Sequence, residues 1–137
     1  MNTATTHFST YLGWSAAALA IPLVAIGVNL AKDRAQRQSV AIAMTGGDPA
    51  QAPALFRRYG CGGCHVIPGI AGADGKVAGP LTDLRQRVYV GGVATNTPEN
   101  LVRWIVEPQS FSANSAMPAT GISESEAKHL AAYLYAK

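Results

Sequence analysis

The chain has 137 residues, 48% of them hydrophobic and 14% charged, with a formal net charge of +3. That length allows one small domain with an appendage and leaves no room for a second full domain. With so modest a charge, and every Asp, Glu, Lys and Arg placed after Ala31, the pattern excludes the concentrated basic surface of a nucleic-acid-binding protein.

From Phe8 to Ala31 the sequence FSTYLGWSAAALAIPLVAIGVNLA is mostly apolar or small. As a helix it would be about 36 Å long, enough for a bilayer core of about 30 Å, so residues 1–31 are expected to be a tail and a single transmembrane helix in the lipid bilayer. No basic segment precedes it, which argues against a cleaved signal peptide. Tyr11 and Trp14 would lie near one interface and Pro22 would give a mild kink. The small pairs Gly13/Ala17 and Ala16/Ala20 have the spacing that lets another helix approach closely in lipid, or they are simply alanine-rich composition. Lys32, Arg34 and Arg37 follow, a charge bias that taken alone would put the rest of the chain in the cytoplasm. Residues 32–47 read as a linker, helix-compatible to Met44 so that it can continue the first helix a few turns, and broken by Thr45-Gly46-Gly47.

Residues 48–137 read as the globular domain. Asp48-Pro49 is expected to open its first helix as cap and first-turn proline. Leu55, Phe56 and Tyr59 recur at helical spacing, and Gly60 stops the helix. Next comes Cys61-Gly62-Gly63-Cys64-His65, which holds the only two cysteines. Two cysteines with two residues between them and a histidine directly after form the signature of covalent c-type haem attachment. Both thiols must add to the vinyl groups along one porphyrin edge, and the next side chain must reach the iron.

Other readings of the motif fit less well. A disulfide between such near neighbours would close a tiny loop and leave His65 without a role. A thioredoxin-like pair would want a βαβ pattern around it. Zinc would need a fourth ligand, and only His7 and His129 remain, neither in a ligand-like cluster. A covalently held haem would also supply the apolar centre that an alanine-rich small domain lacks. Gly62 and Gly63 are expected to let the backbone approach the porphyrin.

Val66–Gly79 is a glycine-rich loop without a period, interrupted by Gly79-Pro80. A short basic turn follows, then Gly91-Gly92 and an irregular stretch to Asn96. Arg57-Arg58 and Arg85-Gln86-Arg87 read either as ordinary surface or as partners for haem propionates and an acidic redox partner. Thr97-Pro98-Glu99 starts the next helix, with Leu101, Val102, Ile105 and Val106 as its apolar face and Pro108 as its stop. Ser110–Gly121 is a polar loop presenting Met117-Pro118. Ser123 to Glu126 is a capping box that opens the last helix, where Ala127, Leu130, Ala131 and Leu134 form a stripe with Tyr133 beside it.

Taken in this order, a helix ending in CGGCH, a Gly-Pro, a middle helix, a Met-Pro and a last helix, residues 48–137 resemble the class I cytochrome c family. The stretch from Gly79 through NTPENLVRWIVEPQ to AMPA is similar to cytochrome c domains attached to haem-copper terminal oxidases. The resemblance implies an all-α chain, a few helices wrapped round one haem c, here preceded by the transmembrane helix. It implies that His65 supplies the proximal nitrogen and Met117 the distal sulfur, a soft thioether that raises the potential relative to two imidazoles. His129 is the runner-up ligand, and Met44 precedes the motif and reads as packed or exposed. Pro80 matches the position whose carbonyl accepts the other ring hydrogen of the proximal histidine. Trp104 is a candidate donor to a propionate, or a packed core residue. The first and last helices would cross, bringing Phe56 or Tyr59 against Leu130 or Tyr133.

A saturated iron leaves no position for a small-molecule substrate, so the resemblance implies an electron carrier and not an enzyme. It would take single electrons from a quinol-oxidising complex and pass them to a terminal oxidase, as a tethered shuttle or a fixed subunit. The alternative is a haem-based sensor whose sixth ligand is displaced. The location implied is the outer, periplasmic face of the bacterial cytoplasmic membrane, where haem is attached to c-type cytochromes, against the flanking charge bias.

Overall fold

A computed structural model describes the backbone from residue 4 and the side chains from residue 21, both to residue 137. The first helix, α1, runs Ala4–Thr45. It stops where Gly46 enters the left-handed region at φ +68°, its amide still donating to the Ile42 carbonyl at 2.8 Å, the usual chemistry of a glycine that closes a helix. Thr45 reinforces the end: its hydroxyl donates to the Ala41 carbonyl at 2.7 Å and accepts from the Gly47 amide at 3.1 Å.

Two expectations are corrected here. The first is the transmembrane anchor. Among the described residues no helix is long and apolar enough to cross a membrane; residues 32–45 continue the first helix, as their helix-compatible sequence allowed. The interfacial roles of Tyr11 and Trp14 and the small pairs at 13/17 and 16/20 lie outside the described side chains. The second correction is that the fold is not all-α. Among the described residues, four α-helices are joined by a small antiparallel sheet, β1 (Tyr89–Val90) paired with β2 (Ala94–Thr95), in the register Tyr89 opposite Thr95 and Val90 opposite Ala94.

The chain divides into two compact units, Met1–Ala35 and Gln36–Lys137. The described part of the first belongs to α1, and from Ile21 to Leu30 its large apolar side chains are exposed, from 48% at Val28 to 70% at Ile21. The second carries the core. Its helices are α2 (Ala52–Arg58), α3 (Pro98–Val106) and α4 (Glu124–Ala136), with α4 packed on both α2 and α3.

Local chemistry sets each boundary. Asp48, expected as the α2 cap, instead closes a turn, its carboxylate accepting from the Ala50 amide at 2.9 Å, and the helix begins four residues later, with Pro53 in its first turn. Gly60, at φ +69°, ends the segment as its sequence suggests. Thr97 caps α3 by accepting from the Asn100 amide at 3.2 Å. Ser123 and Glu126 form the full capping box of α4, each side chain answering the other's amide at 3.2 Å.

The C-terminal half of α4 is buried all the way round: every residue from Leu130 to Tyr135 is buried, Leu130 at 1% exposure. A helix so placed is the centre of the domain and not one wall of it. Leu101, Val102 and Ile105 of α3 and Leu55 and Phe56 of α2 close on it. Phe56 meets Tyr133 edge to face at 5.5 Å and 73°, a geometry that aligns ring edge with ring face. Gly47 abuts α4 so closely that a Cβ there would overlap the Lys128 carbonyl, and the next amide, Asp48 N, donates to His129 Nδ1 at 2.8 Å.

Candidate functional site

The motif begins where α2 ends. Gly60 reverses the chain, and Cys61–Gly63 form one 3-10 turn in which the Cys64 and His65 amides both donate to the Cys61 carbonyl, at 3.3 and 3.0 Å. This turn fixes the two thiols and the imidazole in one short arc. Cys61 and Cys64 are both free, Cys61 half-buried and Cys64 exposed. Burial raises the Cys61 thiol above its ordinary value, so the neutral thiol is favoured there.

The glycine-rich loop after the motif is ordered by it. The Gly75, Ala78 and Leu81 amides donate in turn to the Gly62, Cys64 and Val66 carbonyls, at 3.1, 3.0 and 2.8 Å. Ile67, Ile70 and Ala73 bury their side chains, and the Tyr133 hydroxyl of α4 donates to the Pro68 carbonyl at 2.6 Å. The loop therefore acts as a splint. It also explains Gly62 differently from the sequence reading: a Cβ at Gly62 would stand 2.9 Å from Ala73, so this glycine admits the loop, while Gly63 has open space.

His65 is held by Gly79. Its Nδ1 lies 2.7 Å from the Gly79 carbonyl. A carbonyl only accepts, so Nδ1 carries the hydrogen and Nε2 is the basic nitrogen. The carbonyl role expected of Pro80 thus belongs to its neighbour, a correction of one residue. The Pro80 carbonyl is taken by the Arg87 guanidinium, which also donates to the Thr82 carbonyl at 3.0 Å. The physical reason is that Arg87 fastens the residues just after the turn, leaving the carbonyl just before Pro80 to face the ring.

Cys61, Cys64, His65 and Met117 all line one cavity of about 580 Å³, a volume in the range of cofactor sites. Its apolar wall comes from every helix of the second unit except the end of α1: Phe56, Leu101, Ile105, Leu130 and Leu134, with Leu84 and Val90 from the connecting segment. Trp104 also lines it, tilted against Phe111 at 6.1 Å. The lining has one guanidinium, Arg87, and no carboxylate, so it suits a ligand that is apolar in the middle and anionic at one edge. A flat tetrapyrrole with carboxylate side chains has those properties, and the donor set of two thiols, one imidazole and one thioether matches it.

Met117 reaches the cavity from a loop whose own side chains are exposed or half-buried from Phe111 to Gly121. Three hydrogen bonds hold it. Met117 N donates to the Ser115 hydroxyl at 3.2 Å, and the Gln109 side-chain amide donates to the Met117 carbonyl at 2.8 Å and to the Ser115 carbonyl at 3.5 Å. His129, the runner-up ligand, lies on α4 with Nδ1 engaged by Asp48 and does not line the cavity. Met44 likewise lies elsewhere, in a separate groove beside α3.

Sequence reasoning missed three parts of the site. The hairpin was legible: Gly91 and Gly92 both have positive φ, at +56° and +74°, and the Val93 amide donates back to the Val90 carbonyl at 3.1 Å, the tight turn for which paired glycines are suited. Gly91 is needed twice, since a Cβ there would overlap the Trp104 ring. Asn96 had no such signal. Its side-chain amide donates to the Leu84 and Arg87 carbonyls at 2.8 and 2.9 Å, and its oxygen accepts from the Tyr135 hydroxyl at 2.7 Å, tying the Leu84–Val90 wall to α4. Gln109 is the third.

Among known proteins, the chain is 37% identical over 86 residues to cytochrome c oxidase subunit 2 of Alkalihalophilus pseudofirmus, an alignment covering 61% of this chain. The chain spans about a quarter of that relative's length, 24%. No protein-family model matches the chain, and no solved structure matches it.

Proposed function

We propose that this protein is a mono-haem c-type cytochrome that passes single electrons in a respiratory chain and works with a terminal oxidase. The similarity to part of an oxidase subunit 2 supports the coarser role, electron transfer related to a respiratory oxidase. The observation that carries the finer one is the convergence of Cys61, Cys64, His65 and Met117 on one apolar cavity. Haem c, when bound, supplies a reversible one-electron couple. Cys61 and Cys64 would hold it by thioethers, and His65 and Met117 would bind its iron. The Gly79 carbonyl fixes the tautomer and orientation of His65. Leu101, Ile105, Leu130 and Leu134 keep water from the buried face, and Arg87 and Trp104 are the candidates to meet the propionates.

Electrons would arrive from a quinol-oxidising complex and leave to the oxidase, on the outer side of the bacterial cytoplasmic membrane, where such haems are attached. Other oxidase components would be partners, as the relative's name indicates for that protein. The test is a haem stain of the denatured protein, followed by spectra of the native protein in both redox states. Covalent haem is expected, together with a weak sulfur-to-iron band in the oxidised form that Met117→Ala abolishes. Absence of covalent haem after expression with a haem-attachment system would refute the proposal. A rapid stoichiometric carbon monoxide complex of the native reduced protein would replace electron transfer by ligand sensing.

A further inference from the structure

The Met117 loop presents a mechanical problem. Between Pro108, which is almost fully buried, and Ile122, at 3% exposure, no side chain is buried, so no packed anchor fixes the thioether. Such segments are the ones that open locally at low cost. Within the loop, Met117 N donates to the Ser115 hydroxyl and Ser115 N to the Ser112 carbonyl, and the side chain that ties these residues to the preceding turn is Gln109. Gln109 stands on the 3-10 turn Pro108–Ser110 at the end of α3. That turn is rigid, for Pro108 is buried in the core and its carbonyl accepts from the Phe111 and Ser112 amides, each at 3.1 Å, while Phe111 lies against Trp104 and under the Arg103 guanidinium at 4.8 Å. From this platform the Gln109 amide reaches across the loop to the Met117 carbonyl at 2.8 Å, and more weakly to the Ser115 carbonyl at 3.5 Å.

We infer that Gln109 is a positioning residue for Met117, a latch that keeps the thioether in the cavity and sets how readily another ligand can take its place. This rests on the proposed ligation by Met117. Gln109 does not line the cavity and acts only through the backbone of the residue it holds. One hydrogen bond of this kind shifts an opening equilibrium by about five- to tenfold. The loop without its latch therefore opens about five- to tenfold more often.

The test uses the haem-loaded protein and the variant Gln109→Met, similar in length but unable to donate. Ser110→Ala is the control, because it removes only the bond to the Glu107 carbonyl from the same turn. Two readouts are taken. Cyanide binding to the oxidised protein, which requires the thioether to leave, is expected to speed up about five- to tenfold in Gln109→Met and not in Ser110→Ala. Amide hydrogen exchange of the peptide covering residues 111–121 is expected to accelerate in the same variant, with α3 and α4 unchanged. If Gln109→Met leaves both readouts at wild-type values, the latch is refuted. If the wild type itself lacks the sulfur-to-iron band, the ligation reading fails instead, and accelerated exchange alone still decides whether Gln109 holds the loop. Acceleration that extends into α3 and α4 would overturn the assignment, marking Gln109 as part of the general fold.

Discussion

Asn96 ties Leu84 and Arg87, which line the cavity, to Tyr135 of α4, and replacing it gives a sharp test. Asn96→Ala removes two donated bonds, to the Leu84 and Arg87 carbonyls, and the bond accepted from Tyr135. At about 1 kcal/mol each, three bonds amount to about 3 kcal/mol, with Tyr135 contributing most because its hydroxyl, on a residue 7% exposed, loses its partner. Tyr135→Phe removes only one of the three, so it should cost about 1 kcal/mol. The double variant should cost less than the sum by about 1 kcal/mol, the coupling of a directly bonded pair. Asn96→Asp separates the roles further: it keeps the acceptor for Tyr135 but sets a carboxylate against two carbonyl oxygens, and should be at least as destabilising as Asn96→Ala at neutral pH. Urea unfolding followed by helical circular dichroism measures all four, with an unchanged slope required for the comparison. Asn96→Ala within about 0.5 kcal/mol of wild type, the range of an ordinary surface change, would refute the reasoning. So would strict additivity with Tyr135→Phe.

Other outcomes follow from single contacts. Gly91→Ala must place a methyl group on the Trp104 ring at a positive φ, whereas Gly92→Ala meets only open space; thermal melts should show a cost of about 1–2 kcal/mol for Gly92→Ala and about 1–3 kcal/mol more for Gly91→Ala. The Glu126 carboxyl is held below its ordinary value first by the Ser123 hydroxyl, then by the Tyr59 hydroxyl and the Ser123 amide. Because its folded value is depressed, the stability it gives is present above 4.5 and is lost as pH falls through the folded value. Glu126→Gln should therefore flatten that part of the acid limb of melting temperature against pH. Tyr135 is pushed from 10.0 up to about 12, chiefly by burial and then by Glu99. The folded protein keeps a proton there that the unfolded chain releases, so stability should fall as pH rises from 10.0 to about 12. Tyr135→Phe should lessen that slope, with Tyr59 and Tyr133, also raised, supplying the remainder, and tyrosinate absorbance should show one group fewer in the delayed titration.

The sequence by itself determined the elements whose signals are local. The caps at Thr97 and Ser123, the stops at Gly60 and Pro108 and the CGGCH motif are all written in neighbouring residues, because capping and turn hydrogen bonds join residues a few positions apart; the expected stripe of α4 understated its burial, which runs all the way round from Leu130 to Tyr135. The family resemblance implied that Phe56 or Tyr59 would meet Leu130 or Tyr133, and Phe56 does meet Tyr133. What the tertiary structure decided was every partner distant in sequence. That Gly79 and not Pro80 faces His65 depends on where Arg87 reaches. That Gly62 is small for Ala73, and Gly91 for Trp104, depends on two segments arriving at one place. Asn96 and Gln109 are ordinary polar residues until the carbonyls they bind are brought alongside. The first helix shows the opposite limit, for an apolar composition read over one window suggested a span that the described residues do not provide. Periodicity records which face is buried, and only the packed chain records against what.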